Sequence, residues 1–251
     1  AIVFLKNGRG TLNPAILQCP LPVTPQCPCA APPWLSRMPN PPPAPSRPRA
    51  SSASPASAAG REALGWLHTA RFLTTAAQLH QLPPLEVPEI AFVGRSNAGK
   101  STAINTLTQQ TQLAYASKKP GRTQHINLFA VGRQGTTDAV LADLPGYGYA
   151  AVPLADKVRW QRVMANYLVS RRNLAGIVML ADPRHGLKEL DELLLEVIRP
   201  RVEDGLPFLI LLTKADKLTR AEQAKALQIT RLQAGGGEVM LFSALKRQGV
   251  E

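Results

Sequence analysis

The segment from Gly94 to Ser101 carries the clearest chemical signal in the chain. It reads GRSNAGKS and matches the pattern GxxxxGK(S/T) at every fixed position. Its two glycines allow backbone N–H groups to curl around a phosphate, and the helix that follows directs its positive end at the same anion. Lys100 can reach the β- and γ-phosphate oxygens, and the hydroxyl of Ser101 suits Mg²⁺. The predicted phosphate-binding residues are Gly94, Arg95, Ser96, Asn97, Ala98, Gly99, Lys100 and Ser101.

A second segment, DLPG, follows an apolar run that we interpret as a buried strand. An aspartate at the end of such a strand, here Asp143, is where phosphate-loop proteins hold Mg²⁺, and the N–H of Gly146 can bind the γ-phosphate. DxxG alone is typical of an ordinary turn, but its position behind a phosphate loop and a strand favours the nucleotide site. The residues of this segment are Asp143, Leu144, Pro145 and Gly146.

A third segment, TKAD, predicts which base is bound. A carboxylate at Asp216 can accept two hydrogen bonds from guanine, whereas adenine lacks that pair of donors, so the site selects GTP over ATP. We expect the Lys214 side chain to pack on the base plane and the N–H of Ala244, one strand later, to bind guanine O6. The alternative is an exposed turn without a ligand. The predicted base-binding residues are Thr213, Lys214, Ala215, Asp216, Phe242, Ser243 and Ala244.

Strands and helices alternate around these motifs. Apolar residues from Trp66 to Ala77 recur at helical spacing, which predicts an N-terminal helix within residues 61–85. Strands are predicted over residues 90–93, 125–131, 139–144, 174–181, 208–212 and 239–242. Helices are predicted over residues 99–108, 154–170, 187–197 and 219–233. This alternation indicates an α/β fold, with a mostly parallel sheet and helices on both faces.

Composition divides the chain near residue 60. Residues 1–60 hold 14 of the 23 prolines, all three cysteines and no acidic residue, so we expect a disordered, basic extension rich in Pro, Ser and Ala. Residues 1–37 precede Met38, and we expect them to be a mis-assigned start or an expression remnant. The cysteines are interpreted as incidental, because a zinc site wants four ligands and no His lies in this stretch.

Charge and hydropathy exclude several classes of protein. Lys and Arg number 29 against 17 Asp and Glu, a net charge of +12, which favours a polyanionic partner and nucleic acid ahead of a membrane surface. The longest apolar runs fall short of the ~18 residues that span a bilayer, so we expect no membrane span. The absence of cysteine after residue 29 fits a reducing compartment, and we expect a cytoplasmic protein.

The order of the motifs resembles the bacterial EngB (YihA/YsxC) family of GTPases. The matching segments are GRSNAGKS, PGRTQHINLF, DLPGYGYA, RHGL, TKADKL and FSALKRQGV, spread over residues 61–251. The resemblance implies a Ras-like P-loop G domain of the translation-factor-related class that uses GTP and Mg²⁺. It also implies a monomer that acts on a large ribosomal subunit precursor and its ribosomal RNA, and that is needed for normal cell division and septation.

The resemblance assigns further roles by position. It implies a first switch over Gly121, Arg122, Thr123, Gln124 and His125, with Thr123 closing on Mg²⁺, and a second switch over residues 143–146. The implied metal ligands are Ser101, Thr123 and Asp143. The G domain then covers residues 86–251. A helix expected after Ala244 has no counterpart before Glu251, so we expect a truncated domain with exposed apolar strand surface.

Tyr147 stands where Ras-like proteins carry the glutamine that orients the attacking water, which predicts slow intrinsic hydrolysis. Asn97 occupies the place where related GTPases without that glutamine hold K⁺ beside the phosphates. The alternative is that Asn97 only shapes the loop, since Asn tolerates turn geometry. The predicted catalytic residues are Lys100, Thr123, Gly146 and Asn97.

Charged surface residues allow two interpretations. Basic residues on the predicted helix 154–170 and directly after it form either a solvated face or contacts to ribosomal RNA phosphates. These are Lys157, Arg159, Arg162, Arg171 and Arg172. The acidic residues Glu189, Asp191, Glu192 and Glu196 are expected to form a solvated helix face. The alternative functions are a P-loop metabolic kinase or ATPase and a structural division protein with vestigial nucleotide binding.

Overall fold

A computed structural model describes residues 58–114, 125–148, 154–235 and 237–250. Strands and helices alternate along this part of the chain, as the sequence predicts. The strands are β1 (Arg71–Ala76), β2 (Glu89–Gly94), β3 (Ile126–Val131), β4 (Ala139–Asp143), β5 (Leu174–Ala181), β6 (Phe208–Leu212) and β7 (Glu238–Leu241). The α-helices are α1 (Ala58–Leu67), α2 (Lys100–Thr108), α3 (Leu154–Ser170), α4 (Glu189–Glu203) and α5 (Arg220–Gln233).

The seven strands form one sheet in the order β1-β3-β4-β2-β5-β6-β7. β2 pairs in parallel with both β4 and β5, and the parallel pairing continues through β6 to β7. β3 is antiparallel to β4 and to the edge strand β1. The carboxyl ends of β2, β4, β5, β6 and β7 therefore meet at one edge of the sheet, where ligands bind in open α/β sheets.

Apolar side chains cover both faces of the sheet. One cluster of buried residues packs α3 and α4 against the sheet through residues such as Tyr167 and Leu194. The other packs α1 and α2 against the opposite face through residues such as Ala63 and Ile104. The parallel strands β2, β4 and β6 are buried along their length and β5 is nearly so, as expected for a sheet that is covered on both sides, whereas the edge strand β7 is only partly buried. The predicted α/β class with helices on both faces is confirmed.

The prediction of a helix within residues 61–85 is wrong beyond Leu67. α1 ends there, and the hydroxyl of Thr69 donates to the carbonyl of Trp66 at 2.7 Å and accepts the N–H of Gly132 at 3.0 Å. The next residues, RFLTTA, form β1 and pair with β3. Aromatic and β-branched residues favour a strand, and pairing with a distant strand supplies the backbone hydrogen bonds that a helix would have made.

The apolar strand surface that we expected to be exposed is buried instead. Leu209 and Leu211 of β6 are 2% and 3% exposed and belong to the cluster that α1 and α2 cover. The segment after β7 folds back on itself through an isolated bridge between Ser243 and Gln248, and Val250 is buried in the same cluster. Among the described residues, no helix is long and apolar enough to cross a membrane.

Candidate nucleotide-binding site

The loop between β2 and α2 has the shape of a phosphate cradle. Gly94, Asn97 and Gly99 have φ angles of 149°, 63° and 93°, in the region that Gly and Asn adopt most readily. A side chain at Gly94 would collide with the backbone carbonyl of Leu180 on the neighbouring strand, so this position requires glycine. α2 begins at Lys100 directly after the loop, which directs its positive end into the cradle.

Lys100 holds a buried charge over this cradle. Its Nζ donates to the carbonyls of Gly94 at 3.0 Å and Arg95 at 3.3 Å, and the residue is only 7% exposed. Burial lowers the pKa of Lys100, and the nearby carboxylate of Asp143 partly opposes that shift. A buried ammonium with one hydrogen still unused by these carbonyls is suited to an anionic ligand.

Asp143 and Ser101 lie together at the carboxyl end of β4 and the start of α2. The Ser101 hydroxyl donates to Asp143 Oδ2 at 3.0 Å, while the buried Oδ1 has no hydrogen-bond partner among the described residues. Burial raises the pKa of Asp143, and Lys100 and Ser101 oppose that shift. Among the described residues, no three His, Cys, Asp or Glu side chains come together. A carboxylate and a hydroxyl fit Mg²⁺, which takes one or two protein ligands together with phosphates and water.

The DxxG segment lies directly against the phosphate loop. The N–H of Leu144 donates to the carbonyl of Phe92 at 3.1 Å, and the N–H of Ser96 donates to the carbonyl of Tyr147 at 2.8 Å. A side chain at Gly146 would meet Ser96 Cα at 2.9 Å and Lys100 Nζ at 3.0 Å. The backbone of Gly146 therefore lies close to the loop that is predicted to hold the phosphates.

The predicted base-binding residues meet at the ends of β6 and β7. Asp216 Oδ1 accepts the hydroxyl of Ser243 at 2.6 Å, and this hydrogen bond is the main cause of the lowered pKa of Asp216. The N–H of Ala215 donates to the carbonyl of Phe242 at 3.1 Å, which joins the two loops. Within the described part of the chain, the N–H of Ala244 has no acceptor and is free to bind guanine O6.

Thr213 and Lys214 join the base-binding end to the phosphate loop. The Thr213 hydroxyl donates to the carbonyl of Ala98 at 2.8 Å, so this residue ties the two loops together. Lys214 Nζ donates to the carbonyl of Asn97 at 2.9 Å. The expected packing of its stem on the base stays a prediction.

Asp182 is a site residue that the sequence patterns did not identify. It follows β5, and its Oδ2 accepts Lys214 Nζ at 3.0 Å and the guanidinium of Arg184 at 2.7 Å. Burial alone would raise the pKa of Asp182, but the hydrogen bonds from Arg184 and Lys214 outweigh it and hold the pKa well below its usual range. The RHGL segment begins at Arg184, two residues after Asp182, and is one of the segments that carry the resemblance. It is the sequence signal that could have drawn attention to this loop.

The prediction that Asp191 lies on a solvated helix face is wrong. Its side chain is buried, at 1% exposure. Its Oδ1 accepts the hydroxyl of Tyr147 at 2.7 Å. Burial and the neighbouring carboxylate of Asp191 raise the pKa of Tyr147 well above its usual value, so the phenol stays protonated. The side chain at the position of the water-orienting glutamine is therefore engaged with α4.

The predicted first switch lies mostly outside the described residues. This applies to Gly121, Arg122, Thr123 and Gln124, whose roles stay predictions. His125 is described and is exposed, immediately before β3. The described residues that the structure brings together come from the loops after β2, β4, β5, β6 and β7.

The chain is similar to GTPases over most of its folded part. Residues 89–214 match the protein family described as "50S ribosome-binding GTPase". The "Probable GTP-binding protein EngB" of Albidiferax ferrireducens is 78% identical over 189 residues, covering 75% of this chain and 91% of the relative. The protein of the same description from Polaromonas sp. is 70% identical over 207 residues, covering 82% and 84%. That from Burkholderia thailandensis is 52% identical over 194 residues, covering 74% and 87%.

Solved structures show the same fold at lower sequence identity. A crystal structure described as a probable GTP-binding protein engB has a TM-score of 0.51 at 21% identity, covering 64% of this chain and 92% of that chain. Aquifex aeolicus Era bound to GDP and AlF4⁻ has a TM-score of 0.54 at 21% identity, covering 66% and 54%. These structures show the fold, and the sequence matches show the family. The chain belongs to the EngB family of GTP-binding proteins and is a GTPase.

Proposed function

We propose that this chain is a guanine-nucleotide switch that acts in assembly of the large ribosomal subunit, and that normal cell division and septation depend on it. The observation that carries the switch is that Asp216, held by Ser243, lies in the same segment as Thr213 and Lys214, which both donate to carbonyls of the phosphate loop. A carboxylate in this position favours guanine and argues against a kinase or ATPase that uses ATP. The ribosomal partner is supported by the family description, and assembly of ribosomes implies the cytoplasm.

We propose that Ser101 and Asp143 hold Mg²⁺, with Thr123 as a further ligand. The unpartnered Oδ1 of Asp143 supports this proposal, because a cation would satisfy it. Mg²⁺ bound there neutralises negative charge on the β- and γ-phosphates. Lys100 contributes a second positive charge to the same phosphates from its place over the loop.

The switch reads the γ-phosphate through Thr123 and Gly146. When the phosphate leaves, both segments relax and the surface presented to the partner changes. Hydrolysis without a partner is slow, on the order of 10⁻³ s⁻¹ or below, because the side chain that would orient water is Tyr147 and its hydroxyl is bound to Asp191. The ribosomal particle or K⁺, or both, then accelerates turnover.

Potassium acts through Asn97 in this proposal. Asn97 has a φ angle of 63°, so replacement by alanine would strain the loop as well as remove the amide. Asn97→Gly keeps that backbone conformation accessible and is the better test. We expect faster turnover in K⁺ than in Na⁺ at equal ionic strength for the wild type, and equal rates for Asn97→Gly. Equal rates in both salts for the wild type would remove the potassium proposal and leave the ribosomal particle as activator.

Ribosomal RNA is the proposed partner of the basic surface. Residues 61–251 carry 24 basic and 17 acidic residues, so the excess of positive charge extends beyond the N-terminal extension. Arg171 does not belong to this surface, because its guanidinium binds the buried carboxylate of Glu89 at 2.6 Å and 2.9 Å. Arg172 is exposed and remains a candidate.

Sedimentation with large-subunit precursors tests the proposed function. The chain is mixed with precursors under a non-hydrolysable GTP analogue, GDP or no nucleotide, and the bound fraction is measured at two salt concentrations. We expect binding with the GTP analogue that weakens as salt increases, and little binding with GDP. Equal binding under all three conditions would contradict the switch.

A further inference from the structure

The hydrogen bond between Tyr147 and Asp191 joins the DxxG segment to α4. Asp191 lies in the first turn of α4 and uses both carboxylate oxygens: Oδ1 accepts the Tyr147 hydroxyl at 2.7 Å, and Oδ2 accepts the N–H of Lys188 at 2.9 Å. The second bond caps the helix and fixes the carboxylate in place. The acceptor of the Tyr147 hydroxyl is therefore a rigid part of the fold.

The backbone of the same residue is bound to the phosphate loop. The carbonyl of Tyr147 accepts the N–H of Ser96 at 2.8 Å, and a Cβ added to the preceding Gly146 would lie only 2.9 Å from Ser96 Cα. The DxxG segment is thus held from two sides, by the phosphate loop through its backbone and by α4 through the phenol. Even a methyl group does not fit between Gly146 and Ser96 without a shift of one of them, and we infer that a larger phosphoryl group would not fit there either.

The ring of Tyr147 has room to move on one side. It forms part of the wall of an apolar cavity of about 110 Å³ between α3 and α4, which Met164, Leu190 and Leu194 also line. Packing is incomplete on that side, so fewer atoms oppose a shift of the ring toward the cavity than oppose a shift in other directions. The hydrogen bond to Asp191 is therefore the directional interaction that fixes the phenol.

We propose that Asp191 is a positioning residue for the DxxG segment. Through Tyr147 it holds Gly146 against the phosphate loop, so a γ-phosphate must separate Gly146 from Ser96 while working against this hydrogen bond. A nucleoside diphosphate binds without that separation. The bond thereby lowers the affinity for a nucleoside triphosphate relative to the diphosphate. This inference rests on the proposed guanine-nucleotide switch and specifies how its two states are balanced.

Tyr147→Phe tests the proposal, because it removes the hydroxyl and keeps the ring. The dissociation constants of GDP and of a non-hydrolysable GTP analogue are measured with the full chain at fixed Mg²⁺. We expect the variant to favour the analogue over GDP about ten-fold more than the wild type does, the effect of one hydrogen bond to a charged group. Asp191→Asn should shift the ratio of the GDP and analogue dissociation constants in the same direction. The double variant should change this ratio by less than the product of the two single fold-changes.

Tyr167→Phe is the matched control. The Tyr167 hydroxyl also donates to a buried carboxylate at 2.7 Å, but its partner, Glu89, begins β2 at the opposite end of the sheet. This variant should lower the melting temperature like Tyr147→Phe and leave the ratio of affinities unchanged. An unchanged or lowered ratio in Tyr147→Phe, or an equal rise in Tyr167→Phe, would overturn the proposal. A wild type that binds neither nucleotide would instead overturn the proposed function.

Discussion

Two carboxylates buried in neighbouring strands show how the two ends of the sheet differ. Glu89 begins β2 and is 0% exposed, and its oxygens accept the Tyr167 hydroxyl at 2.7 Å and the Arg171 guanidinium at 2.6 Å and 2.9 Å. Asp143 ends β4 and is 1% exposed, and it accepts only the Ser101 hydroxyl, with one oxygen left unpartnered among the described residues.

The pKa values of the two acids shift in opposite directions for this reason. Burial alone would raise the pKa of Glu89, but hydrogen bonds from Arg171, Tyr167 and Asn173 outweigh it and lower the pKa. For Asp143 burial dominates, and the pKa is raised. A buried polar group is normally satisfied within the protein, so the unpartnered oxygen of Asp143 leaves an acceptor available to a ligand. Glu89 therefore stabilises the fold, whereas the burial of ionised Asp143 is only partly compensated within the described residues.

The largest effect is expected at the base-binding end. Asp216→Asn should weaken GTP binding about 1000-fold, because the new amide cannot accept both guanine hydrogen bonds and leaves donors unpaired. The variant should gain affinity for xanthine nucleotides, whose 2-oxo group can accept from the amide. Competition between GTP and XTP in an equilibrium binding assay measures both changes. Unchanged GTP affinity would remove Asp216 from base recognition.

Lys100→Ala should reduce nucleotide affinity about 100-fold, toward the upper end of the effect of losing one hydrogen bond from a charged group. Its main partner is the ligand, and burial of its charge is costly, so the melting temperature without nucleotide should stay within a few degrees of the wild type. Fluorescent nucleotide titration and thermal denaturation measure the two quantities. A large loss of stability without nucleotide would mean that Lys100 serves the fold, as Glu89 does.

Glu89→Gln should show the opposite behaviour. It leaves the charge of Arg171 without its partner and should lower the free energy of unfolding by about 2 kcal/mol, discounted because Arg171 is 17% exposed. Nucleotide affinity should not change. Asp143→Asn is the matched variant and should not lower stability in the absence of nucleotide. Chemical denaturation of both variants decides the comparison, and equal losses would contradict it.

The pH dependence of stability should also separate the two acids. The lowered pKa of Glu89 stabilises the fold above its unfolded pKa of about 4.5. This contribution is lost as pH falls through the folded pKa, so the deficit of Glu89→Gln should shrink there. The raised pKa of Asp143 has the opposite effect, because the ionised carboxylate destabilises the fold. Any stability advantage of Asp143→Asn over the wild type at pH 7 should therefore disappear as pH falls and Asp143 becomes protonated. Denaturation between pH 3 and pH 7 checks both signs.

The residues at the carboxyl ends of the parallel strands could be predicted because they lie in contiguous sequence motifs. Lys100, Ser101 and Gly146 lie in short segments whose chemistry depends on local spacing, and the structure brings these segments together. Residues whose roles depend on distant contacts were missed. Asp191 binds a tyrosine 44 positions earlier, and Asp182 binds a lysine 32 positions later. A single sequence carries no local signal for such pairs.

The error in the N-terminal region has a similar cause. The apolar residues from Trp66 to Ala77 recur at helical spacing, yet Phe72 is 58% exposed and β1 is an edge strand. Its conformation is set by pairing with β3, more than 50 residues later. Helical periodicity over a short run was therefore overridden by a tertiary contact.

The magnesium dependence of GTP binding tests most directly whether Asp143 is reserved for a ligand. Dissociation constants for a non-hydrolysable GTP analogue are measured with Mg²⁺ and with EDTA for the wild type, Asp143→Asn and Glu89→Gln. We expect Mg²⁺ to strengthen binding to the wild type and to Glu89→Gln, and to have little effect on Asp143→Asn. A full magnesium effect in Asp143→Asn would contradict the central claim that this buried, unpartnered carboxylate is completed by the cation.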